Sequence, residues 1–265
     1  MAVPLLIEFF APRSVVDVGC GTGLWAASFL ERGVSDVMAI DGAWVPETER
    51  DVPAAVFREH DLTQPLQLDK TFDLALCLEA AEHLPLSAAL RLVESLTRLA
   101  PVVVFSAAIP FQGGDGHINE QWPSFWSKQF ATYGYTCLTG LRHRLWTNDA
   151  VEVWYRQNML CFVAPSQLDR CVAALGAGGD GDATLLDVVH PDLYARMARN
   201  LTQQTARAER LERALRQSRS ELFQFKNSKV FRFYQAVYPA WVAARRIASR
   251  FHNSSTDRSA NGRVD

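Results

Sequence analysis

The sequence predicts an α/β fold: a doubly wound, mostly parallel sheet with an antiparallel edge strand, followed by a C-terminal helical extension. Three observations support this prediction. Short apolar runs alternate with helical stretches up to about residue 165, which is typical of a parallel sheet covered on both faces. A glycine-rich turn, VVDVGCGTG at residues 15–23, follows the first apolar run. From Pro191 onward the chain becomes helical, and then basic.

The predicted elements follow one another in a regular order. The opening MAVPLLIEFFAP has neither a basic start nor a small-residue cleavage site, so it is expected to form a short helix and not a signal peptide. Helices are also predicted at 24–31 and 88–99. Strands are predicted at 14–18, 37–40, 54–57, 72–78 and 102–106, with 151–154 and 159–163 as an antiparallel pair at the edge.

Composition restricts the classes of protein to consider. The 265 residues are 48% apolar with a formal net charge of −2, which allows a sizeable core and indicates no particular partner. The cysteines number five and include no Cys-x-x-Cys pair, which disfavours a zinc knuckle or a redox pair. No apolar run reaches the roughly 18 residues of a spanning helix. These features predict a cytoplasmic protein with reduced thiols.

The glycine-rich turn predicts a nucleotide-type cofactor. Asp17 ends the first strand, and Gly19, Gly21 and Gly23 precede a helix. Glycine adopts positive φ and lets a ligand approach the backbone closely. The dinucleotide fingerprint Gly-x-Gly-x-x-Gly is not met, because Leu24 stands in the place of its third glycine. No phosphate-binding lysine follows the turn, so it is not a P-loop either.

Two further acidic residues extend the pattern. Asp41 closes the next strand, in MAID, where a carboxylate suits a bidentate grip on ribose hydroxyls. Asp61, in HDLT, follows the third strand, where it could meet an adenine amino group.

Asp17–Gly23, Asp41, Asp61 and the FDLALCLEAAEHLP segment together resemble a class I S-adenosylmethionine (SAM)-dependent methyltransferase, over about residues 8–165. The resemblance implies a Rossmann-like fold and SAM as cofactor. It implies that the first turn holds the methionine moiety, Asp41 the ribose, and Asp61 with Leu62 the adenine. The implied cofactor-binding residues are Asp17, Gly19, Gly21, Gly23, Asp41, Gly42, Asp61, Leu62 and Leu78. Many members carry a longer segment before the first strand as a lid, so here either the lid comes from elsewhere or the site is more open.

Acidic and histidine residues gather after the fourth and fifth predicted strands. LEAAEHL supplies Glu79, Glu82 and His83 at a spacing that a helical turn brings together, and GHINEQW supplies His117 and Glu120. Both segments fall at the carboxyl edge of the sheet, where such folds bind ligands. We predict that His83, His117 and Glu120 activate the methyl acceptor; the alternative is that His83 only orients a loop.

The Glu-x-x-Glu-His pattern is similar to one in quinone-biosynthesis O-methyltransferases and in small-RNA 3′-end 2′-O-methyltransferases. This resemblance implies a divalent metal, Mg²⁺, held by Glu79, Glu82, His83 and His117, that polarises an acceptor hydroxyl. The similarity to the RNA enzymes ends there, because no basic aromatic surface accompanies the site. Nucleic acid is therefore a disfavoured partner.

FQGGDGHINEQWPSFW is the most distinctive stretch. Its glycines predict a mobile loop that closes over the reactants, and Trp122, Phe125 and Trp126 begin a helix that either walls the acceptor or packs on the sheet. Together with WYRQNMLCFV and NSKVFRFYQAVYPAWVAARRI, the stretch resembles bacterial methyltransferases of polysaccharide and surface-glycan gene sets. This implies a sugar hydroxyl as acceptor.

The sequence divides into a methyltransferase domain at 1–165, a helical extension at 166–252 that includes a flexible loop at 176–182, and a disordered tail at 253–265. Leu211, Leu215 and Leu222 give a short coiled-coil signal, compatible with a homodimer. Aromatic and basic residues mix at 230–250, which suits an anionic membrane surface, such as the inner face, or a protein partner. Packing of this helix on the catalytic domain is the alternative.

These observations predict a SAM-dependent methyltransferase, acting on a hydroxyl of a sugar, a glycan or a small hydroxylated metabolite. One alternative is an N- or C-methyltransferase that uses the same cofactor site without metal. Another is a SAM-binding subunit without activity, docked to a glycan-assembly complex through its helical tail.

Overall fold

The described residues, 2–175 and 186–256 of a computed structural model, contain a seven-stranded sheet. The loop predicted at 176–182 lies outside the described residues. So does most of the disordered tail predicted at 253–265, but its first residues, 253–256, are helical. The strands are β1 (Ser14–Val18), β2 (Asp36–Asp41), β3 (Phe57–Glu59), β4 (Leu74–Leu78), β5 (Val102–Ser106), β6 (Thr136–Leu138) and β7 (Leu160–Val163). The helices are α1 (Val3–Phe10), α2 (Leu24–Glu31), α3 (Leu86–Leu99), α4 (Pro123–Ala131), α5 (Gly140–Leu145), α6 (Val153–Asn158), α7 (Leu168–Leu175), α8 (Pro191–Asn227) and α9 (Lys229–Thr256).

The strand order is β3-β2-β1-β4-β5-β7-β6. Strands β1 to β5 pair in parallel, and β7 runs antiparallel to both of its neighbours. The chain reverses its direction along the sheet between β3 and β4, so the carboxyl ends of β1 and β4 lie side by side. In doubly wound sheets such a switch point forms a crevice for ligands.

Helices cover both faces of the sheet, which explains why every residue of β4 and β5 is buried and all but Ser106 are apolar. On one face, α1, α2, α5 and α7 pack against alternate strand residues such as Val15 and Leu76. On the other face, α3 and α4 pack against the residues between, such as Val16 and Cys77. Trp126 lies in this second core, with its ring 5.1 Å from that of Phe105, so it packs the helix and is no acceptor wall.

Two strand predictions are wrong. Residues 151–154 form no strand, since 153–158 is helix α6; the edge partner of β7 is the three-residue strand β6, and β7 lies one place in from the edge. The run at 54–57 is mostly a turn, and β3 begins only at Phe57. The prediction at 14–18 matches β1, the one at 102–106 matches β5, and the helix predicted at 24–31 matches α2.

The chain divides into two units, residues 1–199 and 200–265. In the second unit, α8 and α9 meet at a bend at Ser228, whose hydroxyl accepts a hydrogen bond from Phe231 N at 3.1 Å. On α9, Tyr234, Tyr238 and Trp241 stack in sequence with ring centroids 5.0 and 6.1 Å apart. Within the described ranges, no helix combines the length and apolar character needed to cross a membrane.

Candidate active site

The glycine-rich turn lies at the carboxyl end of β1. Its course is fixed by the N–H groups of Gly19 and Cys20, which both donate to the carbonyl of Ile40 on β2. Gly19 has φ +76°, and a Cβ there would lie 2.5 Å from the Cβ of Ala80. Only glycine therefore fits, because the chain must turn left-handed and also pass against the segment after β4. Gly23, with φ +90°, precedes the first turn of α2.

Asp17 is almost fully buried beneath this turn, with 1% of its surface exposed. Its Oδ2 has no hydrogen-bond partner among the described residues. Burial raises the pKa of Asp17 to about 7, and the nearby charge of Asp41 adds to the rise. A buried carboxylate with one unpartnered oxygen suits a cationic ligand group such as an ammonium, which would balance its charge and supply the missing hydrogen bond.

Asp41, at the end of β2, already accepts several hydrogen bonds. Its Oδ2 accepts from the N–H of Gly21 at 2.7 Å, and its Oδ1 accepts from Gly42 N at 2.7 Å and Trp44 Nε1 at 2.8 Å. A carboxylate offers about four acceptor positions. A bidentate grip on two ribose hydroxyls therefore requires one of these bonds to open. The exposed Trp44 side chain is the one that can leave without moving the main chain.

A cavity of about 840 Å³ lies at the carboxyl edge of the sheet, over the switch point. It is lined by Gly19, Gly21, Asp41, Gly42, Ala43, Trp44, Glu59, His60, Asp61, Leu62, Glu79, Ala80, His83 and Leu84. Six of the residues predicted to bind the cofactor are in its wall. Asp17 lies beneath the turn, Gly23 faces Val52 at the start of α2, and Leu78 is buried in the core, so these three do not line the cavity.

The segment after β5 is tied to the short turn after β4. The carbonyl of Glu82 accepts hydrogen bonds from Ile118 N at 2.9 Å and Asn119 N at 3.1 Å, and Asn119 Nδ2 donates to the carbonyl of Ala81 at 3.3 Å. Glu82 itself lies in the 3-10 turn Ala81–His83. These bonds bring the two segments predicted from the sequence to carry the chemistry into contact.

His117 is held between Glu120 and His83. Its Nδ1 lies 3.0 Å from Glu120 Oε1, and its ring packs edge-on against that of His83 with centroids 4.9 Å apart. Glu120 is fixed in turn by the N–H groups of Phe111 and Gly113, at 2.8 and 2.9 Å. If His117 donates from Nδ1 to this carboxylate, its Nε2 is left as a proton acceptor.

His83 faces the same space with its basicity reduced. Partial burial lowers the pKa of His83, and the proximity of His117 lowers it further. His83 is therefore neutral near pH 7. The structure brings the three predicted catalytic residues, His83, His117 and Glu120, together at one point.

Glu79, which is partly buried, and Glu82, which is fully buried, form an acidic pair in which, among the residues that the structure describes, only Glu79 has hydrogen-bond donors. Glu79 has a left-handed backbone, φ +51°, and its carboxylate accepts from Gln112 Nε2 at 3.0 Å and Asn158 Nδ2 at 3.1 Å. Neither carboxylate oxygen of Glu82 has a partner in the described part of the chain. Burial, and then the charge of Glu79, raise the pKa of Glu82 to about 8. Glu82 is thus set to bind a proton or a cation.

A second cavity, of about 220 Å³, lies beside the first. It is lined by Glu79, Glu82, His83, Gln112, Gly113, His117, Trp154, Leu193 and Arg196. Arg196 lies over the ring of Trp154, with its guanidinium carbon 5.0 Å from the ring centroid. Glu79 and His83 belong to both walls, so the two cavities meet where the titratable groups are concentrated.

Sequence reasoning missed several residues of this site. Gln112 and Asn158, which hold Glu79, come from distant segments and carry no local signal. Trp154 and Arg196 were also missed, because residues 151–154 were predicted as an edge strand and Pro191 onward as a separate extension. Trp44 could have been noticed from its position three residues after Asp41.

Comparison with known proteins identifies the family. Residues 3–176 match the family described as a methyltransferase domain, and no curated protein matches the chain. Similar solved structures include the sugar N-methyltransferase KedS8 from Streptoalloteichus, which is 17% identical over 62% of this chain and 85% of that one, with a TM-score of 0.48. SAM-bound CalS10, an amino pentose methyltransferase from Micromonospora echinaspora, is 15% identical over 61% and 87%, with a TM-score of 0.45. The methyltransferase domain of a bacterial CtHen1 is 16% identical over 61% and 95%, with a TM-score of 0.43.

The family match spans more than half of the 265 residues, and it covers every strand of the sheet and the whole glycine-rich turn. The expectation drawn from Asp17, Asp41 and Asp61 is thereby confirmed at the level of family, fold and cofactor. The chain belongs to the class I S-adenosylmethionine-dependent methyltransferases.

Proposed function

We propose that this enzyme methylates a hydroxyl oxygen of a sugar, a glycan or another small hydroxylated metabolite. The observation that carries the proposal is the His117–Glu120 pair, with Nδ1 and Oε1 3.0 Å apart, in the wall next to His83. A hydroxyl must lose its proton to become a good nucleophile, whereas a neutral amine needs no base before it attacks. A positioned imidazole at this place therefore favours an oxygen acceptor.

We assign the larger cavity to the cofactor, with Asp17 opposite its ammonium group and Asp41 opposite its ribose. When bound, SAM supplies an electrophilic methyl group on a sulfonium whose leaving group is a neutral thioether. Gly19 and Gly21 in the wall of this cavity would let the cofactor approach the main chain, because no side chain intervenes there. Asp61 stays available at the rim, because Thr63 occupies only its Oδ1.

In the smaller cavity, His117 Nε2 would accept the proton of the acceptor hydroxyl, and this would make the oxygen nucleophilic toward the methyl group that the cofactor supplies. Glu120 accepts the Nδ1 hydrogen bond and stabilises the imidazolium that forms, as a carboxylate does beside other catalytic histidines. Trp154 offers an apolar face for a sugar ring, and Arg196 offers a positive charge at the same wall. The product oxygen then carries the methyl group, and His117 returns its proton to solvent.

A divalent cation is a second way for this cluster to activate a hydroxyl. One ligand atom each from Glu82, His83 and His117 lies within 4.8 Å of the others. The unpartnered Glu82 carboxylate fits an ion. Glu79, the fourth ligand predicted from the sequence, is instead held by two amides. Two imidazoles and one carboxylate suit a borderline ion such as Zn²⁺ better than the predicted Mg²⁺.

Calorimetric titration separates these two routes without any knowledge of the acceptor. Mg²⁺ and Zn²⁺ are titrated in turn into enzyme saturated with S-adenosylhomocysteine (SAH), with Glu82→Gln as the control. Saturable binding that the substitution abolishes would establish a metal-assisted route. Absence of binding would leave His117 as the direct base.

Turnover with matched acceptors tests the proposed function itself. SAH release is measured with hydroxylated sugars and with the corresponding amino sugars. We expect turnover of a hydroxyl acceptor, and we expect His117→Ala to lower it by about 10²–10³-fold while the affinity for SAH is unchanged. Asp115→Asn, an exposed change in the same loop, is the control. Turnover of the amine alone, insensitive to His117→Ala, would show an N-methyltransferase instead.

A further inference from the structure

We propose that residues 201–226 of α8 pair with the same segment of a second copy of the chain as a parallel two-stranded coiled coil. This inference does not rest on the proposed function. It concerns a helix face that the catalytic site does not use.

Apolar residues recur on α8 with a seven-residue period. One series, spaced by seven, contains three leucines and one alanine, and a second series, three residues further along the chain, contains a leucine and a phenylalanine. In order, the two series are Leu201, Ala208, Leu215 and Leu222, and Gln204, Leu211, Ser218 and Phe225. The alternating steps of three and four place all eight residues on one seam of the helix.

This seam has no partner in the described structure of the single chain. Its leucines and Phe225 are each more than half exposed. The outward-facing positions between them are mainly polar or charged, as in Gln203, Arg210 and Gln217. A long helix with a mainly apolar, exposed seam gains little stability alone, because helix formation in water depends on burying one face. A second copy of the seam would bury it.

The charges beside the seam favour a parallel partner. In a parallel pair, a residue that comes just before a member of the first series, such as the residue before Ala208, faces the residue five places later on the other helix. This rule places Arg207 opposite Glu212 of the second copy and Glu221 opposite Lys226 of the second copy. Each contact occurs twice by symmetry, and both join opposite charges.

The antiparallel arrangement of the same eight seam residues is less favourable. It would place Leu211 opposite Leu215, and it would bring Glu212 close to Glu212 of the second copy. Like charges at such a contact repel each other. In the parallel register, by contrast, Gln204 and Ser218 each meet their own copy, so polar side chains pair with polar side chains inside the seam. Buried polar pairs of this kind fix the register of coiled coils.

Sedimentation equilibrium of the full chain tests the proposal. We expect the wild-type chain to be a dimer at micromolar concentration. Leu215→Arg with Leu222→Arg should raise the dimer dissociation constant by more than about 100-fold. The matched control, Gln217→Arg with Ser220→Arg, adds the same charge on the outer face and should stay dimeric. A monomeric wild type, or a seam variant that remains dimeric, would overturn the proposal.

The parallel orientation has its own tests. Arg207→Glu should weaken the dimer by roughly tenfold, and adding Glu212→Arg should restore it, because the opposite charges then face each other again. Ser218→Cys should form a disulfide-linked dimer on mild oxidation, since equivalent seam residues lie within disulfide distance only when the helices are parallel. Wild-type chain and Ser220→Cys are the controls. A dimer without this cross-link, and without charge-swap rescue, would refute the parallel pairing.

Discussion

Replacing three glycines in turn by alanine should separate backbone strain from steric conflict. Gly19, Gly21 and Gly33 all have left-handed backbones, with φ of +76°, +57° and +88°. A Cβ at Gly33 or Gly21 would meet no atom within 4 Å, whereas a Cβ at Gly19 would lie 2.5 Å from the Cβ of Ala80. Gly33 lies outside the wall of the cofactor cavity, and the other two lie in it.

The expected costs follow from these distances. A left-handed alanine costs about 1 kcal/mol relative to glycine, so Gly33→Ala and Gly21→Ala should each lower the free energy of unfolding by that amount. Gly19→Ala adds about 1–3 kcal/mol of overpacking, for a total of about 2–4 kcal/mol. In a domain of this size, this corresponds to a Tm lower by roughly 4–16 °C.

Thermal unfolding and calorimetric titration with SAH measure the two effects separately. Gly33→Ala should bind SAH as the wild type does. Gly21→Ala should match Gly33→Ala in Tm but should weaken SAH binding by about tenfold or more, because its new methyl group projects into the cavity. If Gly19→Ala were no less stable than Gly33→Ala, the conflict with Ala80 would not exist, and the reasoning from the turn would fail.

Three further substitutions test other parts of the molecule. Asp17→Asn should weaken SAH binding by about tenfold or more. It should also stabilise the free protein, and the gain should grow from about pH 4 to 8. The reason is that the pKa of Asp17 in the fold, about 7, exceeds its ordinary value of 3.8, so ionisation of Asp17 costs stability as the pH rises. Trp44→Phe should remove the fluorescence change that SAH binding causes when it displaces the bond from Trp44 Nε1 to Asp41. Tyr135→Phe should cost about 1 kcal/mol in chemical denaturation, because it removes a phenol that donates to buried backbone carbonyls.

Each of these expectations has a contrary result. A Tm difference between Asp17→Asn and wild type that stays constant from pH 4 to 8 would mean that Asp17 has an ordinary pKa in the fold. An unchanged fluorescence response in Trp44→Phe would mean that the ribose does not compete for Asp41. Retention of full stability in Tyr135→Phe would place its hydroxyl in contact with water.

The prediction was most accurate for segments whose residue types and whose position in the fold demand the same secondary structure. The turn requires positive φ at Gly19, Gly21 and Gly23, and glycine is the residue that adopts it most readily. The turn and the start of α2 could therefore be placed to the residue. Strands β4 and β5 are buried on both faces, and their apolar runs of four to five residues are too short for a typical helix. The family, the fold and the cofactor all followed from these segments.

The errors occurred where short patterns are ambiguous. The VEVW run at 151–154 alternates like a strand, but it leads into the helix α6, and only tertiary packing decides between the two. The true edge strand, β6, has three residues, too few for a period to be seen. Around Glu79 the reason is different: its partner Asn158 is 79 residues away in the chain, and a hydrogen bond over that separation leaves no local pattern.

Glu79 and His83, which belong to the walls of both cavities, have a consequence for the affinities of the enzyme. A ligand in either cavity alters the polarity around these two side chains, and it thereby alters the electrostatic environment of a ligand in the other cavity. The affinities for the two ligands are then linked, and the linkage is reciprocal: whatever factor the first ligand applies to the second, the second applies to the first. An acceptor that binds well only beside the cofactor would therefore raise the affinity of the enzyme for that cofactor by the same factor.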